Sequence, residues 1–158
     1  MKVQVHDPYV DQTPFPQVKF LGYEEVVRNS DIITFHVPLT SETKNMVNHN
    51  SLDWFNDSAI LINASRGGVI SLDALLSFLP ENPQFSVALD VFPSEPLSKE
   101  SQLLQNPNIF CTPHVGATTE QAIAKASLEA VDKMIGFYLE KKISDSLPPD
   151  APWAEKLI

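Results

Sequence analysis

The strongest constraint on the fold is a short apolar run that ends in a glycine-containing loop, Ala59–Gly68 (AILINASRGG). A continuous apolar run without polar alternation is typical of a parallel strand that is covered on both faces. The pair Gly67 and Gly68 ends the run, because glycine adopts backbone angles that other residues avoid. The pattern predicts a buried parallel strand whose carboxyl end opens into a loop.

Arg66 lies in that loop. Ligands of open α/β sheets bind just beyond the carboxyl ends of the strands, where a guanidinium can grip a small anion with two hydrogen bonds. The alternative is that Arg66 is an ordinary solvated loop residue. The segment alone does not decide between the two interpretations.

The rest of the chain alternates between strand-like and helix-like segments, which predicts an α/β doubly wound parallel sheet of the Rossmann type. Further strands are predicted at Lys2–Asp7, Asp31–Phe35, Phe85–Phe92 and Asn108–Thr112. Helices are predicted at 22–30 and at Leu72–Leu79, the latter capped by Ser71, with short helical turns at Thr40–Met46 and Asn50–Phe55.

A long amphipathic helix is predicted near the carboxyl end. The segment Thr118–Gln121 has the pattern of a capping box, with threonine at the cap and glutamine three residues later. An apolar stripe then extends to about Lys141 at a spacing of three to four residues, and its alanines would permit close packing on the sheet. The stripe contains Ala122, Ile123, Ala126, Ala130, Val131, Met134, Ile135 and Leu139.

Composition excludes several classes of function. A net charge of -9 and a pI near 4.7 oppose binding to nucleic acids or to anionic membranes. No apolar run approaches the length of a membrane helix, and the start of the chain lacks a signal-peptide core, so a soluble cytoplasmic protein is expected. The single cysteine, Cys111, is expected to be buried and inert, and no metal site is predicted.

Three predicted strand ends carry residues that could act together. Arg66, Glu95 and His114 lie in loops after successive strands, and Asp90 comes just before Glu95. Because parallel strands present their carboxyl ends at one edge of a sheet, these side chains could converge. A carboxylate beside an imidazole favours the protonated ring, and a guanidinium can polarise a carbonyl. These groups are suited to reducing a 2-oxo acid.

Three motifs resemble the signatures of the D-isomer-specific 2-hydroxyacid dehydrogenases, particularly those of phosphoglycerate dehydrogenases. They are Asn63–Gly68 (NASRGG), Leu89–Pro96 (LDVFPSEP) and Thr112–Thr118 (TPHVGAT). Their order and spacing agree with the family, and the resemblance extends from Lys2 to about Lys141. It implies an NAD-dependent oxidoreductase that acts on the CH-OH group of a small D-2-hydroxy acid and is a homodimer when complete.

The resemblance also implies a role for each matching residue. Arg66 would bind the substrate carboxylate and C2 oxygen, His114 would be the general acid/base, and Glu95 would orient it. Asp7 would bind the adenosine ribose and favour NAD over NADP, because a carboxylate repels a 2′-phosphate. Asp90 would bond the nicotinamide carboxamide. The residues expected to line the cofactor are Val37, Pro38, Ala64, Ser65, His114, Gly116 and Ala117.

The chain also departs from the family pattern. No G-x-G-x-x-G loop is present, and such a loop should precede a strand like Lys2–Asp7. Residues 1–143 are therefore predicted to be the carboxyl-terminal part of an NAD-binding domain that lacks its first strand, followed by a proline-rich tail at 144–158. The missing strand is expected to leave a gap between the Lys2–Asp7 strand and the Ala59 strand. The isolated chain is therefore expected to bind dinucleotides poorly and to be unstable or to self-associate. A non-catalytic, dinucleotide-sensing or corepressor-like module is the alternative function.

Overall fold

A computed structural model describes residues 1–11, 14–142 and 154–157. The strands are β1 (Gln4–Val5), β2 (Lys19–Phe20), β3 (Ile32–Phe35), β4 (Ile60–Asn63), β5 (Ser86–Leu89) and β6 (Ile109–Cys111). The helices are α1 (Tyr23–Arg28), α2 (His49–Leu52), α3 (Leu72–Phe78), α4 (Gln102–Gln105) and α5 (Glu120–Glu140). Short 3₁₀ turns lie at Gly67–Val69, Leu79–Glu81 and Ala154–Lys156.

The strands form two parallel sheets. One has four strands in the order β3-β4-β5-β6, and the other contains only β1 and β2. In the larger sheet Phe35 is in register with Asn63, and Asn63 is in register with Leu89. The carboxyl ends of these strands therefore meet at one edge, and the predicted α/β architecture is confirmed.

The gap in the sheet is not where the sequence placed it. The Ala59 strand, β4, is paired on both sides, with β3 and with β5. Strands β3 and β6 each have one partner and form the edges of the larger sheet, and β1 and β2 stand apart from that sheet. In the general doubly wound order 3-2-1-4-5-6, the first strand lies between a group of two strands and a group of three. Here β1 and β2 correspond to the group of two, and the group on the other side begins with β3. The gap therefore lies between β1 and β3. The expectation failed because it assigned β4 the place that β3 occupies.

One face of the four-stranded sheet is covered and the other is open. Along β3, Ile33 and Phe35 are buried whereas Ile32 is 53% exposed, and along β4 Leu61 is buried whereas Ile60 is 39% exposed. The covered face forms the core together with Val27 of α1 and with α3. The expectation that the Ala59 strand is covered on both faces is therefore wrong for this structure.

Local sequence signals account for most of the short helices. Helix α3 begins after Ser71, whose hydroxyl accepts a hydrogen bond from the Ala74 amide at 3.4 Å. Helix α2 has a capping box formed by Asn48 and Ser51. The segment Thr40–Met46 contains a single helical turn, in which the Lys44 amide donates to the Thr40 carbonyl at 2.9 Å, and it does not continue as a helix. Thr43 Oγ1 there accepts from the Thr40 amide at 2.8 Å, and Thr40 Oγ1 accepts from the Thr43 amide at 3.2 Å, so the two threonines cap the turn reciprocally.

Helix α5 differs from its prediction at its start and along its length. Its N-cap is Thr119, which accepts from the Ala122 amide at 3.1 Å. The predicted cap, Thr118, instead donates to the Val115 carbonyl at 2.7 Å, so the capping box is absent. No residue of α5 is buried, and the expected packing of its apolar stripe on the sheet is not observed.

Residues 143–153 lie outside the described part of the chain, and so does the predicted domain boundary at 143–144. The boundary stays a prediction. The described residues that follow, 154–157, contact the loop after β3, where Thr40 and Leu157 form an antiparallel bridge. Among the described residues no helix is long and apolar enough to cross a membrane.

Candidate active site

The loop that follows β4 is shaped by Asn63, the last residue of that strand. Its side chain is buried and accepts from the Ser65 amide at 3.1 Å and from the Ser65 hydroxyl at 2.8 Å. The Asn63 amide nitrogen also donates to the Arg66 carbonyl at 3.0 Å. These bonds fix the backbone on both sides of Arg66, a role that the sequence analysis did not assign to Asn63.

Arg66 itself projects from this loop and is exposed. Its Nη1 donates to the Ser65 carbonyl at 2.8 Å. A guanidinium has five N–H donors, so most of its donors remain for an anion. Because β4 and β6 flank β5 in a parallel sheet, Arg66 and His114 lie at the same edge, as the sequence predicted.

Gly67 brings the Arg66 loop against the loop that follows β5. A Cβ atom at Gly67 would lie 2.0 Å from the Phe92 carbonyl carbon and 2.3 Å from the Pro93 nitrogen. Such a contact is impossible without moving backbone, so glycine is required here for space. The close approach joins the loop that carries Arg66 to the loop that carries Glu95.

Glu95 and His114 form the central contact of the site. His114 Nδ1 lies 2.8 Å from Glu95 Oε2, and the other Glu95 oxygen accepts from the Phe92 amide at 3.0 Å. The predicted contact between these two side chains is confirmed. The carboxylate fixes the proton on Nδ1, which leaves Nε2 of this half-exposed ring as the nitrogen that can bond a ligand. The hydrogen bond from His114, followed by that from the Phe92 amide, lowers the pKa of Glu95.

Asp90 anchors the loop that carries His114. One carboxylate oxygen accepts from the Thr112 hydroxyl and from the Val115 amide at 2.9 Å, and the other accepts from the Gly116 amide at 2.8 Å. Burial raises the pKa of Asp90, but these hydrogen bonds outweigh it, and the pKa is lowered. His114 has φ 54°, in the left-handed region. A non-glycine residue adopts this conformation only when its surroundings hold it there, and Asp90 supplies three of those contacts.

A mostly apolar pocket of about 250 Å³ adjoins the pair. Phe92, Leu97, Leu104 and Cys111 line it together with Glu95 and His114. Cys111 is partly exposed rather than buried as expected, and its partial burial raises the pKa of the thiol. In the described part of the chain no cluster of histidine, cysteine and acidic residues could hold a metal ion.

Comparison with known protein families identifies the fold and its relatives. Residues 1–116 match the family model described as the D-isomer specific 2-hydroxyacid dehydrogenase, NAD binding domain. The chain belongs to this family. The matched segment contains the first two motifs noted in the sequence and the part of the third from Thr112 to Gly116.

Two curated members of the dehydrogenase family illustrate the relationship. The chain is 36% identical over 138 residues to D-3-phosphoglycerate dehydrogenase 2 from Arabidopsis thaliana, which corresponds to 86% of this chain and 22% of that protein. It is 35% identical over 136 residues to hydroxypyruvate reductase from Thermotoga maritima, covering 85% of this chain and 44% of that protein. The chain therefore spans less than half the length of these relatives.

A solved structure of the same family shares the fold. The NAD-complexed D-isomer specific 2-hydroxyacid dehydrogenase from Lactobacillus delbrueckii ssp. bulgaricus superposes with a TM-score of 0.80. The superposition covers 92% of this chain and 47% of the other, at 23% identity. At this identity the likeness shows a common architecture only.

The residues predicted to bind the cofactor fall into two groups in this dehydrogenase domain. Ala64, Ser65, Asp90, Gly116 and Ala117 lie at the carboxyl ends of β4, β5 and β6, and Val37 and Pro38 follow β3. Asp7 follows β1, on the other sheet, and its Oδ1 accepts from the Tyr9 amide at 2.9 Å. The carboxyl edge of the larger sheet therefore unites every predicted site residue except Asp7.

Proposed function

We propose that this chain is the cofactor-binding half of an NAD-dependent dehydrogenase that interconverts a D-2-hydroxy acid and a 2-oxo acid. The contact that carries the proposal is the 2.8 Å pair between His114 Nδ1 and Glu95 Oε2. A carboxylate that holds one imidazole nitrogen and leaves the other open is the arrangement that general acid/base catalysis requires. Family membership supports the same function.

The geometry of the edge supports the roles that the family resemblance implies for these residues. Arg66 binds the substrate carboxylate with its two-pronged guanidinium and polarises the C2 oxygen. In the direction of reduction, His114 Nε2 donates its proton to the C2 oxygen, and Glu95 stabilises the charged ring before transfer. Bound NADH would supply the hydride that C2 receives. The product is then the 2-hydroxy acid, and His114 is left neutral.

NAD is the proposed cofactor. The acidic side chain of Asp7 lies near the start of the loop after β1, where it could accept hydrogen bonds from the ribose hydroxyls and would repel a 2′-phosphate. Asp7 is exposed, and its Oδ1 accepts from the Tyr9 amide. Asp90 Oδ2 accepts a single hydrogen bond, from Gly116, which leaves it able to accept another from the nicotinamide carboxamide. Val37, Pro38, Ala64, Ser65, Gly116 and Ala117 would line the cofactor.

The test is a stereospecific assay of the protein that contains this chain. NADH-dependent reduction of glyoxylate, pyruvate and hydroxypyruvate is measured in the parent and in His114→Ala, Arg66→Lys and His49→Ala. We expect His114→Ala to lower kcat by roughly 10²-fold or more, the usual contribution of a general acid. Arg66→Lys should chiefly raise KM, because lysine keeps the charge but loses the planar fork.

His49→Ala is the matched control, since His49 is also an exposed histidine with a carboxylate neighbour, Asp73 at 3.5 Å. It should leave the kinetics unchanged. Equal and small effects at His114 and His49 would refute the assigned mechanism. NADH binding without turnover of any 2-oxo acid would favour the non-catalytic, dinucleotide-sensing module instead.

A homodimer and a cytoplasmic location are further parts of the proposal for the complete enzyme. They rest on the family resemblance and on the composition of the chain. Light scattering of the purified protein and cell fractionation test them.

A further inference from the structure

The site proposed above is divided between two sheets that share no strand pairing. Asp7 follows β1 of the two-stranded sheet, whereas Arg66, Glu95 and His114 follow strands of the larger sheet. A dinucleotide that contacts both must therefore bind across the break. Its affinity depends on whatever fixes the turn containing Asp7 against the larger sheet.

At the amino-terminal side of the break, Gln4 makes the connection. Its side-chain nitrogen donates to the Ser30 hydroxyl at 2.9 Å and to the Val26 carbonyl at 3.3 Å. Ser30 and Val26 belong to α1 and the turn that leads into β3. These bonds lie at the opposite end of the strands from the proposed cofactor.

At the carboxyl edge the connection is a closed ring of three polar side chains, Tyr9, Glu42 and Lys156. The Tyr9 hydroxyl donates to Glu42 Oε2 at 2.5 Å, and Lys156 Nζ donates to Glu42 Oε1 at 2.6 Å and to the Tyr9 hydroxyl at 3.0 Å. The ammonium also lies 5.4 Å from the centre of the Tyr9 ring. The three residues come from the loop after β1, the loop after β3 and the carboxyl-terminal segment.

Each loop in the ring carries a residue of the proposed cofactor site. The Tyr9 amide donates to Asp7 at 2.9 Å, so the position of Tyr9 fixes that of the Asp7 carboxylate. Glu42 lies in the loop that begins with Val37 and Pro38. The main chain of the last segment is attached independently, through the Ser41 amide, which donates to the Lys156 carbonyl at 2.9 Å.

We propose that Lys156 is a positioning residue that holds the turn containing Asp7 against the larger sheet and thereby sets the affinity for the adenosine half of the cofactor. The inference rests on the proposed function. Without its ammonium, Glu42 and Tyr9 lose the cation that joins them, and of the contacts in this ring only the hydrogen bond between Tyr9 and Glu42 remains. The separate backbone bond from Ser41 lets a side-chain substitution test this role without releasing the segment.

The experiment compares the intact chain with Lys156→Met, Lys156→Arg, Tyr9→Phe and Lys125→Met. Dissociation constants are measured by ligand-observed NMR for ADP-ribose, which carries the adenosine end, and for nicotinamide mononucleotide, which does not. Lys125 is the matched control, because it is an exposed lysine paired with a glutamate, Glu129 at 3.8 Å, on α5.

We expect Lys156→Met to raise the dissociation constant for ADP-ribose by about fivefold, near the upper end of the contribution of an exposed ion pair. Tyr9→Phe should act in the same direction, and Lys156→Arg should restore affinity. Nicotinamide mononucleotide should bind all variants equally, and Lys125→Met should match the parent. Amide hydrogen exchange at residue 9 should become faster in Lys156→Met and in Tyr9→Phe, but not in Lys156→Arg or Lys125→Met.

Two failures are distinguishable. If the parent binds ADP-ribose and Lys156→Met binds it equally well, the positioning role is wrong and the proposed function stands. An effect of Lys156→Met that Tyr9→Phe does not reproduce would mean that Lys156 contacts the ligand directly, which also overturns this inference. If the parent binds neither ligand, both the inference and the proposed cofactor are wrong.

Discussion

The two faces of the four-stranded sheet carry similarly apolar side chains but differ in how they are covered. On one face Ile33, Leu61 and Val87 are at most 6% exposed. On the other, Ile32, Ile60 and Phe110 are 53%, 39% and 68% exposed. The strand residues alternate between these faces, so neighbours in the sequence have opposite surroundings. The chain therefore has the composition of a sheet covered on both sides and the packing of a sheet covered on one.

Helix α5 shows the same contrast. It carries apolar residues throughout, and Leu128, Met134 and Leu139 are 66%, 70% and 77% exposed. In α3, by contrast, Ala74 and Leu75 are fully buried. Exposed apolar side chains that follow one another along a surface usually mark a site that contacts other polypeptide. A sequence pattern therefore specifies that a helix or strand is amphipathic. It does not specify which part of a polypeptide covers the apolar surface.

The largest expected effect comes from substituting two neighbouring isoleucines of β3, one on each face of the sheet. Ile33→Ala should lower the free energy of unfolding by about 2–5 kcal/mol, because it removes buried methylenes and leaves a cavity. Ile32→Ala, one residue away, removes the same atoms from the open face and should cost less than about 1 kcal/mol, mainly through lower strand propensity. Urea unfolding followed by circular dichroism measures both.

Equal destabilisation by the two substitutions would show that the open face is covered in solution. The contrast between a covered and an open face of the sheet would then be wrong. Size-exclusion chromatography at the same protein concentration would then show whether a second copy provides the cover.

A second pair of variants replaces one glycine in the packed loops at the edge of the sheet and one glycine in α5 with alanine. Gly67→Ala would force a Cβ into the Phe92–Pro93 backbone, and we expect a loss of about 1–3 kcal/mol of stability, the usual cost of overpacking. Gly136→Ala is the control, since no atom lies within 4 Å of a Cβ there. It should raise stability by roughly 0.5–1 kcal/mol, because alanine favours a helix interior.

Thermal unfolding of the two glycine variants gives the comparison. If the Gly67→Ala protein is as stable as the parent, the loops that carry Arg66 and Glu95 are further apart than in this structure. A Cβ at residue 67 would then lie more than 2.0 Å from the Phe92 carbonyl carbon. That result would also weaken the argument that Gly67 joins the loops of the site.

The sequence was sufficient to predict the edge of the sheet on which the candidate site lies. The apolar runs before Arg66 and before Asp90 required strands, and a parallel sheet places their carboxyl ends together. The contact between His114 and Glu95 followed from this placement. Asn63 was missed, although an asparagine at the end of an apolar strand and two residues before Ser65 has the spacing of an Asx turn.

Features that depend on neighbours outside the local pattern could not be predicted. The strand β2, Lys19–Phe20, is only two residues long and has no recognisable alternation. Thr118 and Thr119 are equally good caps in the sequence, and the bond from Thr118 to the Val115 carbonyl decides between them. Burial of the α5 stripe was predicted from periodicity alone, which states which residues share a face but not what that face contacts.

The smallest expected effect concerns the protonation of Glu95 at the packed edge. The hydrogen bond from His114 is the main cause of its lowered pKa, and the Phe92 amide contributes next. Because the folded-state pKa is below the ordinary value of about 4.3, the bonds stabilise the folded protein above that value. The stabilisation is lost as the pH falls through the folded-state pKa. Carboxyl carbon shifts followed by NMR from neutral to acidic pH report this titration.

In His114→Ala the pKa of Glu95 should rise toward its ordinary value but stay below it, since the Phe92 amide still donates to Oε1. Glu100 is the matched control, because its pKa is lowered by the Ser98 hydroxyl and no bond connects it to His114. Its titration should be the same in both proteins. An unchanged Glu95 titration in His114→Ala would mean that the pair does not form in solution, and the arrangement proposed for proton transfer at this edge would lose its orienting carboxylate.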